Sequence, residues 1–254
     1  MPQAAALSGL PRLPDLHDRL SPLSLDTDPS PADWIVESLT DFGKSVSSIV
    51  PRGFPAYVRV FHHAHRREAD EVVHVRWNEI AAAKRRIPHA GMQLCALTRG
   101  DDEYADQPGL DGQPPRTGSL PRSLIRPLVE VLSAHTEMQG RCRFGVWHGF
   151  GDLRTALREA PTFETRGREY HLLSGSLGDA GENLSEISWG HRSASIWWPD
   201  DHAWCVATEV DLRTTYIACS EACRDDLLAR PELEAYEIDP SYGIDSRSDT
   251  LNPF

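Results

Sequence analysis

Short segments that alternate apolar and polar residues recur along this chain, separated by helical patterns and Gly/Pro-rich stretches. They follow no regular strand, helix, strand rhythm. AYVRVFHHAH sets Val58, Val60, His62 and Ala64 on one side and Tyr57, Arg59, Phe61, His63 and His65 on the other. EVVHVRWNEI aligns Val73, Val75 and Trp77, and the RREAD between the two predicts a hairpin turn. MQLCALT, RCRFGVW, REYHLLSGSL, TTYIACS and LEAYEI read as further strands. Parallel strands need long crossover connections, usually helical, and this order does not supply them. The expectation is an α+β fold: a largely antiparallel sheet or sheets with a few packed helices. Two related lobes dividing in the polar 99–119 loop fit this pattern, and so does pairing that continues across that loop.

Helices are marked by their punctuation. SPAD predicts a start at Ser30 as cap, with Pro31 in the first turn and Asp33 at capping-box spacing; Trp34, Ile35, Leu39 and Phe42 supply apolar anchors before Gly43. LPRSLIRPLVEVLSAHT carries Leu124, Leu128, Val131 and Leu132 at helical spacing, and Pro127 implies either a kink or a restart there. Asp152 is expected to cap a short helix through Leu157, and SEACRDDLLAR predicts another helix. Residues 1–30 read as an extended N-terminal arm, 31–239 as a single α+β domain, and 240–254 as an unstructured C-terminal tail.

Charge narrows the partners. A formal net charge of -12 opposes general affinity for nucleic acid or anionic lipid, because phosphate binding needs a positive field. A protein or a small polar or cationic ligand fits better, and a nucleic-acid regulator is disfavoured. Five scattered cysteines, with no CxxC pair and no signal-peptide pattern ahead of them, suggest reduced thiols and a cytoplasmic protein. No run of eighteen apolar residues predicts a membrane span.

Catalytic signatures are missing: the chain has no G-x-S-x-G, P-loop, Rossmann glycine set or HExxH. His62, His63 and His65, with His74 nearby, are the densest histidine group, and His63 and His65 share one strand face as metal ligands could. No third ligand is fixed by spacing, so they read first as strand and turn residues. No cofactor is predicted. Cys219 and Cys223 read as buried structural thiols, and Cys205 as a core residue.

The chemically densest stretch is SIWWPDDHAWCVATEVDL, with three of the seven tryptophans. Read as a hairpin turning at Pro199–His202, it sets Trp197 opposite Trp204 and Trp198 opposite Ala203. Trp204, Val206, Thr208, Val210 and Leu212 form the expected core face; Cys205, Ala207, Glu209 and Asp211 project from the other face with Trp198. That second face would be a solvated aromatic and acidic surface able to recognise a cation. Trp147, His148, Trp198, Asp200, Asp201, Glu209 and Asp211 are therefore the binding candidates, with the Trp147-His148 turn lining the same groove.

YVRVFHHAHR, VRWNEIA, RFGVWHGFG, EYHLLSGSL and above all the WWPDD and AWCVATEVDL stretches resemble an uncharacterised protein family of high-GC Gram-positive bacteria, over about Asp33 to Asp239. The resemblance implies no established activity, and it implies a proline as the common residue at the position of His63. Two functions follow as expectations. The first is a ligand-binding or protein-interaction module with a Trp/acidic recognition surface. The second is a metal-dependent hydrolase using His62, His63 or His65 with carboxylates such as Asp200 or Glu209.

Overall fold

A computed structural model describes residues 20–69, 71–99, 107 and 110–252. In chain order these form β1 (Ser24–Leu25), α1 (Asp33–Ser38), β2 (Ala56–Phe61), β3 (Ala64–Glu68), β4 (Glu71–Val75), α2 (Trp77–Ala83) and α3 (Leu94–Thr98). Then follow α4 (Arg122–Ser133), β5 (Cys142–Trp147), α5 (Thr155–Arg158), β6 (Thr162–Thr165), β7 (Arg168–Gly175), β8 (Ile196–Pro199), β9 (Cys205–Ala207), β10 (Thr214–Cys219), α6 (Glu221–Ala229) and β11 (Ala235–Glu237). The fold is α+β. Among the described residues nine strands form one antiparallel sheet in the order β1-β7-β5-β8-β9-β10-β2-β11, with β6 also on β7, and β3–β4 is a separate hairpin. Because β2 pairs with both β10 and β11, the sheet takes strands from both sides of the 99–119 loop.

This sheet is covered on both faces. On one face Val58, Val60, Phe144, Val146, Leu173, Trp197, Val206 and Ile217 pack against Leu124, Leu128 and Leu132 of α4 and Leu227 of α6. On the other, Tyr57, Leu172, Trp198, Cys205, Ala207, Tyr216 and Ala218 lie under Ile35, Val46, Ile49, Ile238 and Ile244. A strand buried on both faces reads as a continuous buried run, as β10 does at every position. A third cluster joins Phe61, Val75, Trp77, Ile80, Met92, Leu94 and Leu97 beneath the β3–β4 hairpin.

Several expectations are corrected. The strand from Tyr57 breaks after Phe61, so the hairpin, whose turn follows Glu68 within RREAD as expected, pairs β3 with β4. MQLCALT is helical from Leu94, with every residue of that helix buried, and Trp77 opens a helix instead of continuing a strand. Ser30 does not cap: Asp28 accepts its N–H and hydroxyl, a 3-10 turn covers Ser30–Ala32, and α1 stops at Ser38. The helix α4 runs through Pro127 from Arg122. Asp152 caps nothing; it accepts from Arg192 and Ser185. The end of the arm is sheet, as β1 pairs with β7 over buried Leu20 and Leu23. The tail is docked: Asn252 bonds both the N–H and the carbonyl of Ile87, and Asp249 accepts from Gln93 N. All five cysteines are buried and none is in a disulfide. No described helix is long and apolar enough to cross a membrane.

The helix α2 starts where a remote carboxyl meets it. Glu234 accepts from the N–H groups of Trp77 (2.7 Å) and Asn78 (2.6 Å), two donors that a helix N-terminus cannot satisfy internally. Burial outweighs those bonds and pushes the Glu234 carboxyl from 4.5 up to about 7. A carboxyl raised on folding adds stability below its unfolded pKa, and that contribution disappears as pH rises through the folded one. Relative to Glu234→Gln, which cannot titrate, the wild type should therefore lose about 3 kcal/mol of advantage between pH 4.5 and 7.5. Urea unfolding at both pH values measures it; a constant difference would mean that the carboxyl does not titrate in this range.

Candidate functional site

Three segments distant in sequence build an apolar pocket. Gly167 turns β6 into β7 with φ +109°, a left-handed conformation suited to glycine, and its Cα faces the Phe42 ring so closely that a Cβ would stand 2.9 Å from Phe42 Cγ. The next residue, Arg168, is thereby held between two rings, its guanidinium carbon 4.6 Å from the Phe42 centroid and 5.3 Å from that of Trp147. Its Nε donates to Glu209 (2.9 Å) and its terminal nitrogen to Asp211 (2.6 Å). Glu209 also accepts the Asp211 N–H at 2.6 Å, which fixes the two carboxylates in one bend after β9.

These acids border a pocket of about 260 Å³ walled by Phe42, Ile49, Leu212 and Ile244, with Ser48, Asp245 and Ser246 at its polar edge. Glu209 and Asp211 share one guanidinium, so that triad carries a net charge of -1, and Asp245 adds another. An apolar chamber with an excess of negative charge is suited to a cation that has a hydrocarbon body. Asp245 is fixed by accepting from Arg247 N (2.8 Å) and Ser248 Oγ (3.1 Å), so it is presented without being neutralised by those partners.

The sequence candidates divide around this pocket. Glu209 and Asp211 line it, and Trp147 supports it from behind through Arg168. The others lie elsewhere. His148 contacts His171 through its Nδ1 (3.0 Å) at the end of β5, where burial lowers the His171 pKa. Asp200 pairs with Arg143 at 2.8 Å, and Asp201 accepts from Thr136 Oγ1 and the Glu137 and Ala203 N–H groups. Both acids hold the hairpin turn to β5 and to the end of α4. Trp198 is 0% exposed and packs edge-on against Trp34, which is stacked on His202. The aromatic part of the expected solvated Trp/acidic face is thus buried, and the aromatic residue at the pocket is Phe42. Hairpin register also shifts: Trp197 stands opposite Val206, although its ring still meets Trp204 at 5.2 Å, T-shaped.

The histidines split as well. His62 is fully buried and its Nε2 meets Thr215 Oγ1 at 2.8 Å; burial first, then His63, pulls its pKa down to about 3. His63 and His65 face a second cavity with His74. Among the described residues no three His, Cys, Asp or Glu side chains are grouped to hold a metal. Comparisons with family models, with curated proteins and with solved structures find no match for this chain.

Arg168, Phe42 and Asp245 were not legible as site residues. A signal for the last existed in the tail, where Ile244 sits between turn residues in SYGIDSRSD, as a docked segment would have it.

Proposed function

We propose that this protein is a binding module whose pocket between Phe42, Leu212 and Ile244 takes a small organic cation, or the ammonium of a partner protein's lysine. The observation that supports it most directly is the charge imbalance: three carboxylates border an apolar chamber of about 260 Å³, and the one guanidinium paired with them, that of Arg168, answers two. Arg168 is committed to Glu209 and Asp211, leaving Asp245 as the carboxylate that a cation would meet. Asp200 and Glu209, the acids a histidine-based hydrolase would have used, are engaged by Arg143 and Arg168.

Calorimetric titration with primary alkylammonium ions of increasing length, against the matching alcohols, tests the reading. Ammonium ions should bind and the alcohols should not, and Asp245→Asn should weaken binding roughly tenfold, the scale of one lost charge-assisted bond. Asparagine keeps an oxygen for Arg247 N, so the turn survives the substitution. Equal binding of ammonium and alcohol would remove the charge argument.

A further inference from the structure

The second cavity has the opposite character. It measures about 170 Å³, well above the roughly 10–15 Å³ needed to admit one water, and is bordered by His63, His65, His74, Arg116, Ser119 and His191. No carboxylate borders it among the described residues. Its walls converge from four places: the break after β2, the β3–β4 hairpin, the 115–121 segment leading into α4, and the loop before β8.

Two polar atoms in this wall are buried without a partner. They are His63 Nε2 and the hydroxyl of Ser119, a residue only 5% exposed. A buried polar group left unpaired destabilises the fold, so two of them around one cavity point to a ligand that satisfies both. The ligand's charge follows from the surroundings. Arg116 stands at the mouth, and among the described residues no carboxylate pairs with it. Pro121 and Ser123, also on the wall, belong to the start of the twelve-residue helix α4, whose first turn has no side-chain cap and directs its positive end here. His191 is fixed: its Nε2 donates to Leu120 O (2.9 Å), leaving Nδ1 to accept from Arg122 Nε (3.2 Å).

We propose that this cavity binds a tetrahedral oxyanion, the phosphoryl group of free phosphate or of a phosphomonoester, held by Arg116, Ser119 Oγ, His63 Nε2 and the first turn of α4. Arginine and a helix N-terminus are both donors that match phosphate oxygens. The same cationic surroundings work against a metal ion. His63 feels burial first, then Arg76 and His74, which together hold its pKa down to about 4 against the opposing pull of Glu79. It therefore meets the anion as a neutral imidazole in the tautomer that donates through Nε2. The site is independent of the acidic pocket.

Titration calorimetry of the full chain with inorganic phosphate, phenyl phosphate and Zn²⁺ in separate runs tests this. Phosphate should bind and Zn²⁺ should not; tighter binding of phenyl phosphate would identify a phosphomonoester as the source. Arg116→Gln should weaken phosphate binding roughly tenfold, and Ser119→Ala should weaken it with the circular dichroism spectrum unchanged. Asp245→Asn should leave it unaltered, which separates this site from the ammonium pocket. The proposal is overturned if wild type binds no phosphate, if Zn²⁺ binds in its place, or if Arg116→Gln and Ser119→Ala both bind phosphate as wild type does.

Discussion

Arg59→Met is expected to lower unfolding free energy by about 3–5 kcal/mol, because it leaves three largely buried acceptors unsatisfied at about 1–3 kcal/mol each, partly offset by no longer burying a charge. Arg59 is 2% exposed in the middle of β2, and no carboxylate answers it among the described residues. Its guanidinium donates to Ala90 O and Met92 O (both 3.0 Å) and to Gln93 Oε1 (3.2 Å), and lies 4.6 Å from the Phe61 ring centroid and 5.6 Å from that of Tyr216. The side chain thereby fastens the 90–93 segment to the sheet. Methionine fills much of the volume but leaves two carbonyls and an amide oxygen without that donor. Lysine should not rescue, because an ammonium has no planar fork to reach several acceptors while stacking between rings. Equilibrium denaturation of Arg59→Met and Arg59→Lys gives the comparison. A loss below about 1 kcal/mol in the methionine variant would show that the guanidinium contributes little beyond its packing.

The architecture was legible where local pattern and tertiary environment agree. β5, β7 and β10 fall where alternation and β-branched or aromatic residues place them, and α4 where leucines recur at helical spacing. Reading failed where a short segment is apolar all round. LCALT has no polar face, so periodicity could not separate strand from helix, and burial of the whole turn resolves it as helix. WNEIAAA needed the distant Glu234 to supply its N-terminal acceptor. At the site, Glu209 and Asp211 were recognisable because two acids continue the Cys205 and Ala207 face beyond the end of β9. Their partner Arg168 was not, since nothing in a linear chain joins a turn at 167 to a bend at 209. The two-residue shift in the hairpin left each tryptophan on its expected face, because side chains alternate with period 2; the error lay in assuming that one of those faces meets water.

A Trp198 exposed on a binding face could be truncated at little cost to stability, whereas a Trp198 in the core could not. Trp198→Ala is expected to cost about 3–5 kcal/mol, as for large aromatic truncations in cores. The ring sits on central strand β8, between Arg143 on β5 in the ladder and the Trp34 and Ile35 layer of α1, with Cys205 and Tyr216 in the same cluster. Its Nε1 is buried with no partner, so the indole is held there by packing alone, and phenylalanine should recover much of the loss by restoring a ring without a donor to satisfy. Thermal and urea unfolding of the alanine and phenylalanine variants measures this, with alkylammonium titration in parallel. Folded Trp198→Ala should retain ammonium affinity within a few-fold, because Trp198 does not line the pocket. Loss of binding with stability intact would reverse the assignment and return Trp198 to the recognition surface.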